Sequence, residues 1–145
     1  MIRLANKSDF IFISDLVEEM NARELQSKAQ FNWDRSKITD ELEKAETLVF
    51  DEEGIKSFLC YRTTQDFFEV TVLATSPENR RQGYQSHLVT HLQGLSLENK
   101  KPIFLEVHEE NFSAVSFYQG LGFRFVSYRK NYYSDGKSAA VFAYN

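Results

Sequence analysis

The residues best suited to chemistry in this 145-residue chain fall in two places. The first is VLATSPENRRQGYQSHL: an apolar run, a polar loop holding one glycine, then apolar residues at helical spacing. A strand that passes through such a loop into a helix offers unpaired backbone N–H groups to an anion, at the positive end of the helix dipole. Arg80 and Arg81 add charge of the same sign there. An ordinary solvated loop has the same outline, so spacing leaves both readings open. The second place runs from IFLEV to FYQGLGF. Glu106 lies inside an otherwise apolar strand, where a carboxylate must be paired, hydrogen-bonded or protonated. Burial predicts a raised pKa, which suits a general base taking a proton from an ammonium group. Partnership with an arginine or a backbone amide accounts for it equally well.

Other residues are weaker signals. Glu69 in FFEVTVL is a second strand carboxylate; it relays a proton or holds an amine, or it faces solvent on an alternating strand. Tyr118 shares a helix face with Val115 and Leu121, and taken alone it reads as a core tyrosine with a satisfied hydroxyl. Asn111 precedes that helix and suits an N-cap. His87 and His91 stand four apart with no third ligand, so no metal is expected. Cys60, the single cysteine, reads as a small buried hydrophobe.

The elements that must carry these residues follow from the hydrophobic period. Residues 2–5 predict a strand, and Ser8 an N-cap for a helix with Phe10, Ile13, Leu16, Val17 and Met20 on one face. A polar stretch leads to a second helix through Ile38, Leu42 and Ala45. TLVF and IKSFLCYR form a hairpin around the turn Asp51-Glu52-Glu53-Gly54, and FFEVTVLAT follows after a second turn. Tyr84, Leu88, Leu92 and Leu95 mark a helix, IFLEV a strand, and FSAVSFYQGL a helix closed by Gly120 or Gly122. FRFVSYR and KSAAVFAYN are strands around a loop from Asn131 to Gly136. The order β-α-α-β-β-β-α-β-α-β-β is that of an α+β (α/β layered) domain, a mixed sheet packed by helices. One domain spans residues 1–145, without repeat or linker.

Composition removes several classes of function. A net charge of -4 and a pI near 5.4 argue against a phosphate-neutralising nucleic-acid binder. No apolar run approaches the roughly 18 residues of a membrane span. Lys7, Asp9 and Asp15 break the opening segment, which therefore does not read as a signal peptide, and a cytoplasmic protein is expected.

SPENRRQGYQ resembles the acetyl-CoA pyrophosphate loop of GNAT N-acetyltransferases, [Q/R]-x-x-G-x-[G/A], with Arg80, Gly83 and Gln85 at its defined positions. Downstream, LEV, Asn111, FYQGLGF and RKNYY are similar to the ribosomal-protein-alanine acetyltransferase branch, and the match covers roughly residues 67–133. Before that stretch only element order and a faint FxW echo, Phe31 and Trp33, agree. The resemblance implies a mainly antiparallel central sheet and acetyl-CoA as donor without a metal. It implies contacts with acetyl-CoA from Leu73, Ala74, Thr75, Arg80, Arg81, Gln82, Gly83, Tyr84, Gln85, Ser86, Asn111 and Tyr118. It makes Glu106 the base, Tyr118 the acid for the leaving thiolate, and an amide near Leu73 the donor to the carbonyl oxygen. The acceptor it implies is a protein or peptide N-terminal amine, in a groove lined by Tyr128, Tyr132 and Tyr133. A small-molecule amine is the alternative acceptor, and a non-catalytic acyl-CoA-binding module the alternative function. Three positions depart from the pattern: Gln85 where Gly or Ala is usual, Val72 where Asn is frequent, and His108 at a commonly basic site.

Overall fold

A computed structural model describes residues 1–24 and 33–145. The elements are β1 (Ile2–Leu4), α1 (Lys7–Glu24), α2 (Arg35–Lys44), β2 (Glu46–Asp51), β3 (Ile55–Thr63) and β4 (Phe68–Thr75). They continue as α3 (Tyr84–Asn99), β5 (Ile103–His108), α4 (Phe112–Gly120), β6 (Arg124–Arg129) and β7 (Ala139–Tyr144). This is the order read from the hydrophobic period. Phe31 of the FxW echo lies outside the described residues.

One local expectation needs correction, and one choice between two glycines is decided. Helix α1 begins ahead of Ser8, and the capping oxygen is Asn6 Oδ1, which accepts from the Ser8 amide at 3.0 Å. At the end of α4 it is Gly122, at φ +92°, that takes the left-handed turn, while Gly120 is still helical.

The strands form one sheet in the order β1-β2-β3-β4-β5-β7-β6. Every pair is antiparallel except β4 with β5. Strand β7 inserts between β5 and β6, so β5 is interior to the sheet. Ile13, Val17, Met20, Ile38 and Leu42 of α1 and α2 bury against Val49, Phe58, Cys60, Val72 and Ala74 on one face. On the other, Leu88 and Leu92 of α3 and Tyr118 of α4 pack with Val70, Leu105 and Phe142.

Strand β4 serves both cores because its register slips. Cys60 pairs with Val72 but the next residue, Tyr61, pairs with Val70, leaving Thr71 as a bulge. A one-residue insertion exchanges the two faces. Phe68 and Val70 therefore point towards α3 and α4, and Val72 and Ala74 towards α1 and α2.

Candidate functional site

Strands β4 and β5 pair only at Phe68–Ile103 and Glu69–Phe104. Beyond that point they part, and a cleft of about 960 Å³ opens between them. Leu73, Ala74 and Thr75 line it from β4, Glu106 from β5, and Asn111 and Tyr118 from the α4 side. A second cavity of about 270 Å³ lies at the start of α3, lined by Arg80, Arg81, Gly83, Tyr84, Gln85 and Ser86 among others. Thr75, Arg80, Gln85 and Phe117 line both, and so form the neck joining them.

Loop geometry explains the second cavity. Arg81 and Gly83 sit at φ +64° and +83°. A Cβ at Gly83 would meet nothing closer than 3.8 Å, so backbone angle rather than space favours glycine there. The first intrahelical bond of α3 runs from the His87 amide to the Gly83 carbonyl at 3.1 Å, and no side chain caps the helix. Its first-turn amides thus have no intrahelical acceptor and face the cavity end of the loop. Arg80 Nε donates to the Thr75 carbonyl at 3.3 Å, which holds the arginine against the end of β4.

Not every residue expected here presents its side chain. Gln82 lines neither cavity, and its Oε1 accepts from the Tyr84 hydroxyl at 3.2 Å. The Tyr84 ring packs on Phe50 at 4.7 Å. Ser86 Oγ donates to the Gly83 carbonyl at 2.9 Å. Asn111 Oδ1 caps α4 by accepting from the Ala114 amide at 3.2 Å. Gln85 does face the cavities, at their junction.

At the other end of the cleft Glu106 has the arginine partner that was one of its two readings, and it is only partly buried. Its side chain is 24% exposed, and Oε1 accepts from Arg129 Nη1 at 2.5 Å. The Arg129 guanidinium also lies over the Tyr132 ring, 4.6 Å from its centroid. Burial and the neighbouring Glu106 charge push the Tyr132 phenol above its usual range. Glu69 is exposed on β4 and lines the same cleft. Among the described residues no cation forms an ion pair with it.

Tyr118 is 7% exposed, its ring edge-on to Phe117 and Phe123 at 5.1 and 5.4 Å. No hydrogen bond reaches its hydroxyl from the described residues, and burial pushes the phenol well up. A core tyrosine with a satisfied hydroxyl is therefore not what the structure shows. Tyr132 and Tyr133 line the cleft; Tyr128 does not, and packs on Phe125 at 4.9 Å. His108 Nε2 contacts Asp135 Oδ2 at 2.8 Å while Nδ1 accepts from the Glu110 amide at 3.1 Å. Both ring nitrogens are engaged, and the imidazole ties down the loop that carries Tyr132 and Tyr133. Cys60 is buried beside Thr47, and burial pushes its thiol up to about 12.

Sequence reading missed Glu41, Arg62 and Thr71, all in the cleft wall. Glu41 accepts from Arg62 Nε at 3.0 Å and Nη2 at 2.6 Å, and from Thr71 Oγ1 at 3.0 Å. Arg62 holds its carboxyl below the usual carboxylate range. A signal existed: positions 38, 41, 42 and 45 share one helical face, so Glu41 interrupts an apolar stripe.

A sheet split beside a loop of open amides, with carboxylates and a buried phenol lining the same cleft, has the chemistry to suit an extended, phosphate-bearing ligand. Residues 12–123 match the acetyltransferase (GNAT) family, and the chain belongs to that family. Over 72 residues it is 35% identical to the [ribosomal protein bS18]-alanine N-acetyltransferase of Escherichia coli strain K12, covering 48% of this chain and 49% of that protein. The chain spans about half the length of the curated relatives it matches. The crystal structure of the ribosomal-protein-S18-alanine N-acetyltransferase from E. coli superposes with a TM-score of 0.80 at 23% identity, over 99% of this chain and 91% of that one. Arabidopsis thaliana Naa50, solved with the bisubstrate analogue CoA-Ac-MVNAL, gives 0.76 at 16% identity, over 100% and 97%. At these identities the structural likeness shows the fold.

Proposed function

We propose that this protein is an acetyl-CoA-dependent N-acetyltransferase whose acceptor is a primary amine, specifically the N-terminal amine of a protein. One observation carries the proposal: two adjoining cavities, sharing Thr75, Arg80, Gln85 and Phe117 in their walls, extend from the amide-rich loop to Glu106 and Tyr118. The residues fit the donor. Arg80, Arg81 and the amides at Gly83 to Ser86 suit a diphosphate. The divergence of β4 from β5 leaves room beside Leu73, Ala74 and Thr75 for an extended arm. When bound, acetyl-CoA supplies an acetyl group activated as a thioester.

The chain's own groups do the rest. Glu106 and Glu69 face the same space with two negative charges and hold the incoming ammonium. Glu106 takes its proton, directly or through a water, so that the nitrogen has a lone pair with which to attack the acetyl carbon. The main chain near Leu73, just past the bulge, donates to the carbonyl oxygen. Tyr118 gives its hydroxyl proton to the sulfur as the carbon–sulfur bond breaks, and the second proton released by the acylated nitrogen restores the phenol. The curated relative named above is an alanine N-acetyltransferase of a ribosomal protein, which supports a protein N-terminus as acceptor. A cytoplasmic location accords with such an acceptor, and no helix among the described residues is long and apolar enough to cross a membrane.

Calorimetry with acetyl-CoA, followed by thiol release across a panel of peptides and small amines, tests the reading. Binding and amine-dependent release are expected, with peptides bearing a free N-terminus ahead of blocked peptides and small amines. Absence of binding at millimolar acetyl-CoA would sink it. Binding without turnover on any acceptor would favour a non-catalytic module instead.

Gln85 yields a second expected result. It lines both cavities at the neck where the donor would lie. Gln85→Gly should tighten acetyl-CoA about threefold, a gain of roughly 0.6 kcal/mol, by calorimetry. Unchanged or weaker affinity would mean that the glutamine does not obstruct the loop.

A further inference from the structure

The bulge in β4 is gripped by a carboxylate that has no place in the transfer chemistry itself. Glu41 belongs to α2, yet it is 4% exposed and turned towards the sheet with Ile38 and Leu42. A buried carboxylate persists only where its oxygens are satisfied. Oε1 accepts from Arg62 Nη2, while Oε2 accepts from Arg62 Nε and from the Thr71 hydroxyl. Arg62 lies on β3, and Thr71 is the unpaired residue of β4. One side chain of α2 therefore ties two strands together at the single irregularity between them.

That irregularity sits where the cleft begins. The last β4–β5 pair is Glu69–Phe104, and Thr71 follows two residues later. Before the bulge, Glu69 is set beside β5; after it, the main chain of Leu73 runs along the open cleft wall. Closing the bulge would shift the register beyond it by one residue and exchange the faces of Val72, Leu73 and Ala74. Burial of Val72 and Ala74 under α1 and α2 opposes a gross shift, but sets the local angle only loosely. The Thr71 hydroxyl, which donates to Glu41 Oε2 at 3.0 Å and lies 3.4 Å from the Cys60 carbonyl, sets it closely.

We propose that Glu41 is a positioning residue: acting through the Thr71 hydroxyl, it fixes the point and angle at which β4 leaves β5. It thereby aligns Glu69 and the Leu73 main chain across the cleft. Both Glu41 oxygens are already occupied, so it acts through its neighbours and not on the acceptor. The inference rests on the cleft being the reaction site, as proposed above.

The test is a pair of substitutions at Thr71. Thr71→Val keeps shape and β-branching but removes the donor; Thr71→Ser keeps the donor. Thr71→Val should remain folded, lower kcat about tenfold, and change KM for the acceptor less than about twofold, as misalignment of a site predicts. Thr71→Ser should restore kcat to within about twofold of the parent. Amide resonances of Val72, Leu73 and Ala74 should move in Thr71→Val and stay near their parental positions in Thr71→Ser. A Thr71→Val protein with parental kcat and unmoved amides would overturn the proposal, as would a Thr71→Ser protein as impaired as Thr71→Val. If the parent turns over no amine, the proposed function fails, while the amide comparison still decides whether the clamp sets the strand.

Discussion

Replacing Tyr118 by Phe should lower kcat about a hundredfold while leaving the fold and acetyl-CoA affinity nearly unchanged. The expectation rests on what the hydroxyl does not do. It accepts and donates no hydrogen bond among the described residues, so its removal leaves no buried partner unsatisfied. Removing it should change stability by less than about 1 kcal/mol. The ring contacts with Phe117 and Phe123 survive in phenylalanine. Any large loss of turnover then belongs to proton delivery. Phenol and thiol start with similar proton affinities. Burial pushes the phenol up and would by itself make it a poorer acid. The same desolvation disfavours a thiolate leaving beside that ring, which keeps the two proton affinities close. Steady-state kinetics and a thermal melt on the two proteins decide the matter. Parental turnover in Tyr118→Phe removes Tyr118 as the acid; a large drop in melting temperature reassigns it to the core.

The order of elements was legible because each change of hydrophobic period left a mark, from the helical spacing of Leu88, Leu92 and Leu95 to the apolar run of IFLEV. The split in the sheet was not. Phe68, Val70, Val72 and Ala74 alternate evenly along the chain, and a regular strand would place all four on one face. Only pairing with β3 reveals that Thr71 is extra and that the last two face the other core. Which arginine would pair with Glu106 was hidden for a related reason. Arg129 lies on β6, which reaches the site across β7, and β7 follows β6 in the chain. Nothing local to IFLEV signals that arrangement. Gln85, by contrast, stood out as a departure from the loop pattern, and its side chain does line the neck. The Tyr118 hydroxyl shows the reverse case, since a helix-face position by itself suggested an ordinary core residue.

Replacing Glu106 by Gln should lower kcat/KM at neutral pH about a hundredfold or more, the ordinary contribution of a general base. Glutamine keeps the volume and an oxygen that can accept from Arg129, so the site retains its shape. Arg129 is 56% exposed, and its pairing with Glu106 is a solvent-screened contact of small worth to the fold. That exposure also bears on mechanism, because an arriving ammonium can take the guanidinium's place without a costly rearrangement. The informative measurement is the pH profile of the deficit. If Glu106 removes a proton from the acceptor, solvent will do so in its stead once pH passes the pKa of the acceptor amine. The deficit should then shrink through about pH 8 for an N-terminal amine, and only near about pH 10.4 for a lysine-like amine. The profile therefore reads both the role of Glu106 and the class of acceptor. A deficit that stays constant with pH would reduce Glu106 to holding the ammonium. No deficit at any pH would leave Glu69, alone on its strand and without an ion-pair partner among the described residues, as the carboxylate that receives the proton.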